Sequence, residues 1–170
     1  MLPNYQTILY ASDMSKNVRG VFRHAVSFAR TYKAKIYFVH VIPSSAFNAR
    51  QHEYSFYGYH PDDEGQPRAE EENQNLTKGI AATIRQRLEI FAAEELPDDA
   101  EPLAYVAGIE VVVGSSPVVG ILQASDRVNA DLLVFGSHSK GVGKYTFLGH
   151  VAERVLRKSR RPSLIVPITE

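Results

Sequence analysis

Residues 105–136, YVAGIEVVVGSSPVVGILQASDRVNADLLVFG, read as a strand, a helix and another strand. The run YVAGIEVVVG is rich in β-branched residues and lacks clean alternation, the pattern of a strand covered on both faces. Ser115 or Ser116 then supplies a helix cap, and Pro117 suits the first turn. Val118, Ile121, Leu122, Ser125 and Val128 recur at a spacing that lays them along one helical face, toward the sheet. DLLVFG is the next apolar run. Two doubly covered strands joined by a helical crossover point to a parallel sheet.

The same alternation extends in both directions. TILYASD and KIYFVHVIP are apolar strands, and between them Val18, Phe22, Ala25, Phe28, Ala29 and Tyr32 mark a helix, with Ser12, Asp13 and Ser15 as candidate caps. A second helix is expected over about residues 70–95, where Leu76, Ile80, Ile84, Leu88 and Phe91 form a stripe and Glu70, Glu71 and Glu72 suit the positive end. LPDDAEP breaks it. After DLLVFG, LGHVAERVLRKSRR reads as a helix with a basic end and PSLIVPI as a fifth strand. Five strands alternating with helices predict an α/β fold, a doubly wound parallel sheet with helices on both faces, over residues 1–170 as one domain.

Residues 44–69 break the rhythm. SSAFNARQHEYSFYGYHPDDEGQPRA has no sustained period and is expected to be a mobile insertion, or else a lid or partner surface built on Tyr54, Phe56, Tyr57 and Tyr59. Its His52, Glu53, His60, Asp62 and Asp63 match no metal-ligand spacing, so no metal is expected.

Composition narrows the class. The 170-residue chain is 44% hydrophobic, enough for a sizeable core. Its 19 basic and 19 acidic residues cancel, so no bulk attraction to nucleic acid or anionic lipid is expected. With no cysteine there are neither disulfides nor thiolate chemistry, which fits a cytoplasmic protein. No apolar run approaches a membrane span, and MLPNYQ does not resemble a signal peptide.

In an open parallel sheet, ligands collect at the carboxyl ends of the strands where the winding reverses. There the chain places Ala11, Ser12 and Asp13 after strand one, Val41 near the end of strand two, and the loop GSHSKGVGKYTFLGH, residues 136–150, after strand four. An acid, an apolar wall and a glycine-bearing loop that ends on a helix start suit a base, a ribose and phosphates. Each also has an ordinary role: Asp13 as a cap, Val41 as core, Gly136 as an exit from the strand and Gly149 as a close helix approach. His40 is expected to be a hydrogen-bonded core histidine and His24 a surface one. The loop contains neither a P-loop nor a dinucleotide fingerprint, and the neighbouring Ser137, His138 and Ser139 lack the elbow of a hydrolase nucleophile.

Four segments, TILYASDMS, IYFVHVIP, VVVGSSPVVGILQASDRVNADLLVFGSHS and LGHVAERVLRKSRRPSLIVP, together resemble the universal stress protein family. The resemblance implies an adenine nucleotide alpha hydrolase-like fold with strand order 3-2-1-4-5, a homodimer through the C-terminal strand, and no conventional catalytic site. One branch of the family binds ATP through a pattern of glycine, two residues, glycine, nine residues, then glycine with serine or threonine. Laid on this chain the pattern runs from Gly136 to Gly149 in register, but Ser139 stands at the middle glycine and His150 at the closing hydroxyl. The adenosine-side positions, Asp13 and Val41, match.

The resemblance thus implies a stress-response regulatory protein and a site of Ala11, Ser12, Asp13, Val41, Gly136, Ser137, His138, Ser139, Gly149, His150 and Val151. Its ligand would be ATP or another adenine nucleotide, with or without Mg²⁺. Ser139 adds a Cβ where a phosphate approaches, and His150 puts a ring in place of a small hydroxyl, while Gly141, Gly143, Lys140 and Lys144 offer compensation. Two alternatives stand beside this reading: an interaction dimer that binds an unknown protein partner without nucleotide, and a slow ATPase.

Overall fold

The computed structural model describes residues 2–14, 19–44, 66–96, 101–138 and 149–168. Among these residues five strands, β1 (Thr7–Ala11), β2 (Lys35–Pro43), β3 (Val106–Gly114), β4 (Leu132–His138) and β5 (Ser163–Ile168), alternate with four helices. These are α1 (Arg19–Tyr32), α2 (Gln66–Glu95), α3 (Pro117–Arg127) and α4 (His150–Lys158), with a short 3₁₀ turn at Pro102–Tyr105. The strands form one sheet in the order β3-β2-β1-β4-β5, every pairing parallel, as the family resemblance implied.

The central strand is covered on both faces, which is why it reads as an unbroken apolar run. Ile8 and Tyr10 face α1 and α2, in a cluster with Phe22, Ala25, Ile36, Phe38, Ile84, Leu88 and Val134. Leu9 and Ala11 face α3 and α4, with Val39, Ile121, Ala124, Leu133, Phe135 and Val155. The helical stripes serve these layers largely as their spacing predicts. In α2, Ile84, Leu88 and Phe91 are buried, while Ile80 packs half-buried against the same cluster. In α3, Val118, Ile121 and Ser125 are buried, with Leu122 and Val128 at the margin.

Some element ends differ from the sequence reading. Helix α2 begins at Gln66, inside the stretch expected to be an insertion, because Pro67 suits a first turn and the following residues are good helix formers. Residues 45–65, with Tyr54, Phe56, Tyr57, Tyr59 and the His52 to Asp63 group, lie outside the described residues. Strand β4 continues two residues past Gly136, since β5 supplies partners for Ser137 and His138. Ser116 holds the N-cap position of α3 with extended backbone but makes no capping bond through its side chain, while Pro117 occupies the first turn as expected.

Two local contacts fix the sheet. The Asp131 carboxylate accepts from the amides of Gln6 and Thr7 at 2.8 and 2.9 Å, and its own amide donates to the Thr7 carbonyl at 2.8 Å, tying the start of β1 to that of β4. Gly136 leaves room for the facing layer: a Cβ there would strike the Ile168 side chain and come within 3.0 Å of Val21. Its missing side chain is therefore a packing requirement on the α1 side of the sheet.

Replacing Gly136 by Ala should destabilise the fold by about 1–3 kcal/mol in urea unfolding, because the added methyl overpacks a filled layer. Gly114→Ala, where a Cβ would meet nothing within 4 Å, should stay within about 0.5 kcal/mol of the parent.

Candidate functional site

Register builds the site. Ala11 of β1 pairs with Val39 of β2 on one side and Phe135 of β4 on the other, and all three side chains face the α3–α4 layer. Side chains alternate along a strand, so the next row toward the carboxyl ends on that face holds Val41 of β2 and Ser137 of β4, with Asp13 in the turn that follows β1 between them. Neighbouring strands lie roughly 4.8 Å apart, which separates the columns of Val41 and Ser137 by roughly 10 Å with that of Asp13 between them. Strand β1 is also where the winding reverses, since β2 and β3 lie to one side of it and β4 and β5 to the other.

The row differs in burial along its length. Val41 is half-buried and closes on α3 at Gly120, where an added Cβ would meet its two methyl carbons at 2.8 and 2.9 Å. Gly120 thus lets the helix seat the valine at the edge of the crevice. Asp13 is exposed. Ser137 is only 5% exposed.

Helix α4 completes the arrangement. It crosses from β4 to the parallel β5, so it runs against the strands and its first turn lies at their carboxyl ends. Ala152 and Val155 anchor it in the same layer as Ala11 and Phe135. Gly149 is the N-cap, with φ −62° and ψ 152°, and supplies no capping side chain. The first-turn amides, with the positive end of the helix dipole, therefore lie at the carboxyl end of the sheet with no cap from the N-cap residue's side chain. His150 and Val151 are exposed in that turn.

Ala11, Ser12, Asp13, Val41, Gly136, Ser137, Gly149, His150 and Val151 thus all lie at the carboxyl end of the sheet, and His138 closes β4. Ser139 lies outside the described residues, as do Lys140, Gly141, Gly143 and Lys144. No group of three or more metal-ligating side chains occurs among the described residues. No described helix is long and apolar enough to cross a membrane.

The sequence reading passed over what stands behind this row. Tyr10 is 1% exposed, packs edge-on against Phe38 with ring centroids 5.1 Å apart, and its phenol shares a hydrogen bond with the Ser12 side chain. Burial pushes that phenol well above its ordinary value, the Asp13 charge adding to the effect and the Ser12 bond opposing it. His40 is half-buried, with Nδ1 3.0 Å from the Ser12 carbonyl. The expected hydrogen bond of His40 is present, but it goes to the turn that carries Asp13.

With this geometry in place, comparison with known proteins is decisive. The model of the universal stress protein family matches residues 4–167. The chain belongs to the universal stress protein family. The universal stress protein MJ0577 of Methanocaldococcus jannaschii is 25% identical over 163 residues, 95% of this chain and 94% of that one. The solved structure of MJ0577 superposes with a TM-score of 0.62 at 23% identity, covering 99% of both chains. Universal stress protein UspA of Lactobacillus plantarum gives a TM-score of 0.62 at 18% identity over 97% of this chain and 99% of that one. A universal stress protein solved in complex with cAMP gives 0.57 at 24% identity, over 98% of this chain and 100% of that one.

The raised Tyr10 phenol makes an alkaline prediction. The unfolded chain releases this proton near pH 10 while the folded chain keeps it, so its contribution is complete below about pH 10 and is lost as pH rises above that. In urea unfolding between pH 9 and 11, Tyr10→Phe should lose stability less steeply than the parent, by up to about 1.4 kcal/mol per pH unit above pH 10.

Proposed function

We propose that this chain is a regulatory binding protein of the universal stress type that takes ATP or another adenine nucleotide at the carboxyl ends of β1, β2 and β4. The observation that carries the reading is that Val41, Ser137 and the turn bearing Asp13 stand at the carboxyl ends of β2, β4 and β1, the end of the sheet at which α4 starts from an N-cap glycine. In this reading Val41 packs on the adenine and Asp13 accepts from ribose or base. The amides near Gly136, His138 and Ser139 and those of Gly149, His150 and Val151 meet the phosphates. The Ser137 hydroxyl, a buried polar group near the end of β4, suits the ligand as well. A relative of the same fold holding cAMP makes the adenine nucleotide the first ligand to test.

Ser139 and His150 favour a second reading, an interaction dimer that binds a protein partner and no nucleotide. Both readings use a homodimer through β5, an outer strand of the sheet. Both place the protein in the cytoplasm and assign it binding rather than catalysis.

Thermal melting with millimolar ATP or ADP and Mg²⁺ separates the readings. A ligand at about one hundred times its dissociation constant stabilises by about 2.7 kcal/mol, so the midpoint should rise by roughly 5–10 °C in a chain of this size. No rise favours the protein-binding dimer, and steady phosphate release over hours would favour a slow ATPase. The double variant Ser139→Gly with His150→Ser should bind ATP several-fold more tightly than the parent, by removing a Cβ and a ring from the phosphate half.

A further inference from the structure

Beyond Ala11 the chain leaves the sheet through a turn at residues 12–14, and Met14 has a φ of 59°. That left-handed conformation is rare for a residue with a β-carbon and persists where its surroundings over-determine it. Here they do. The Ser12 amide donates to the Val39 carbonyl at 3.2 Å, and the Met14 amide donates to Ser12 Oγ at 3.0 Å. Arg87 of α2 donates through Nη1 to the Met14 carbonyl at 3.4 Å. His40 Nδ1 lies 3.0 Å from the Ser12 carbonyl. A carbonyl oxygen only accepts, so Nδ1 carries the hydrogen in this bond.

His40 and Val41 are neighbours on β2 and point to opposite faces. Val41 borders the crevice from the α3–α4 side, while His40 reaches the same turn from the α1–α2 side, where Met14 packs against the larger core cluster. We propose that His40 is a positioning residue of the nucleotide site: its Nδ1 bond to the Ser12 carbonyl holds the Ser12–Met14 turn in its left-handed form, and so presents Asp13 level with Val41 and Ser137. The inference rests on the nucleotide reading only for what Asp13 is presented to; the hold on the turn is a property of the free protein. Arg87 supports the same turn from α2. A histidine that merely filled space would affect overall stability, yet leave the turn and the affinity of the folded protein unchanged.

The test compares His40→Leu, which removes the donor, with His40→Asn, whose side-chain N–H falls near the place of Nδ1. In the free protein, amide hydrogen exchange at Met14 should rise about tenfold in His40→Leu while Leu9 in the middle of β1 stays within about threefold, and His40→Asn should restore Met14 to near the parent rate. The dissociation constant for ATP, measured by calorimetry, should weaken about tenfold in His40→Leu and return to within about threefold of the parent in His40→Asn. Unchanged Met14 exchange in His40→Leu, or a His40→Asn protein no better than His40→Leu, overturns the proposal. A parent protein with no affinity for ATP overturns the nucleotide reading instead, and the exchange comparison then decides the role of His40. Should His40→Leu fail to fold, His40→Gln replaces it, because its amide reaches the place of Nε2 and leaves the Ser12 carbonyl without a donor.

Discussion

Parallel pairing of β1 with both β2 and β4 is the constraint on which the site depends. A strand flanked on both sides and covered on both faces has no freedom to slip, because a shift of one residue would exchange Tyr10 and Leu9 between two differently shaped layers. The Asp131 carboxylate, bonded to two amides at the start of β1, fixes the origin of that register. With the origin set, the far end follows: Val39, Ala11 and Phe135 form one row, Val41 and Ser137 fall on the next, and the turn with Asp13 leaves β1 between them. The crevice is therefore the free end of a tightly indexed sheet, and its side chains inherit their spacing from the ladder beneath them.

Glycine does different work on the two faces. At Gly120 its lack of a side chain lets α3 settle onto Val41, which turns a core-type residue into the margin of the crevice. At Gly136 the vacancy is filled from the opposite face by Ile168 and Val21. The first residue of the glycine pattern thus answers to packing between β4, β5 and α1, whatever its backbone does toward a ligand. The strain that the turn after β1 does carry sits at Met14, and neighbours on β2 and α2 stabilise it through hydrogen bonds to backbone carbonyls.

Much of the architecture was legible because burial leaves a periodic signature. Continuous apolar runs marked the doubly covered strands, and the stripes in α1, α2 and α3 marked the faces that cover them. The candidate site was legible through local chemistry, an Asp after one strand and a glycine before a helix. What escaped was the support behind it. His40 reads as a core histidine and nothing in the sequence singles out Tyr10 or Met14, since neither a hydrogen bond to a distant carbonyl nor a left-handed turn held by distant donors leaves a mark in neighbouring residues. The extra turn at the start of α2 was hidden within a stretch whose composition resembles a loop.

The amino-acid sequence by itself determined the alternation of strands and helices, the parallel class of the sheet and the family, because these depend on patterns within single segments or on local motifs. Only the tertiary structure decided which side chains share a row, that Ser137 is buried while Asp13 is exposed, and that a histidine on β2 grips the turn after β1. Those outcomes depend on inter-strand register and on contacts between residues far apart in the chain, and both arise only when the strands align and the helices close over them.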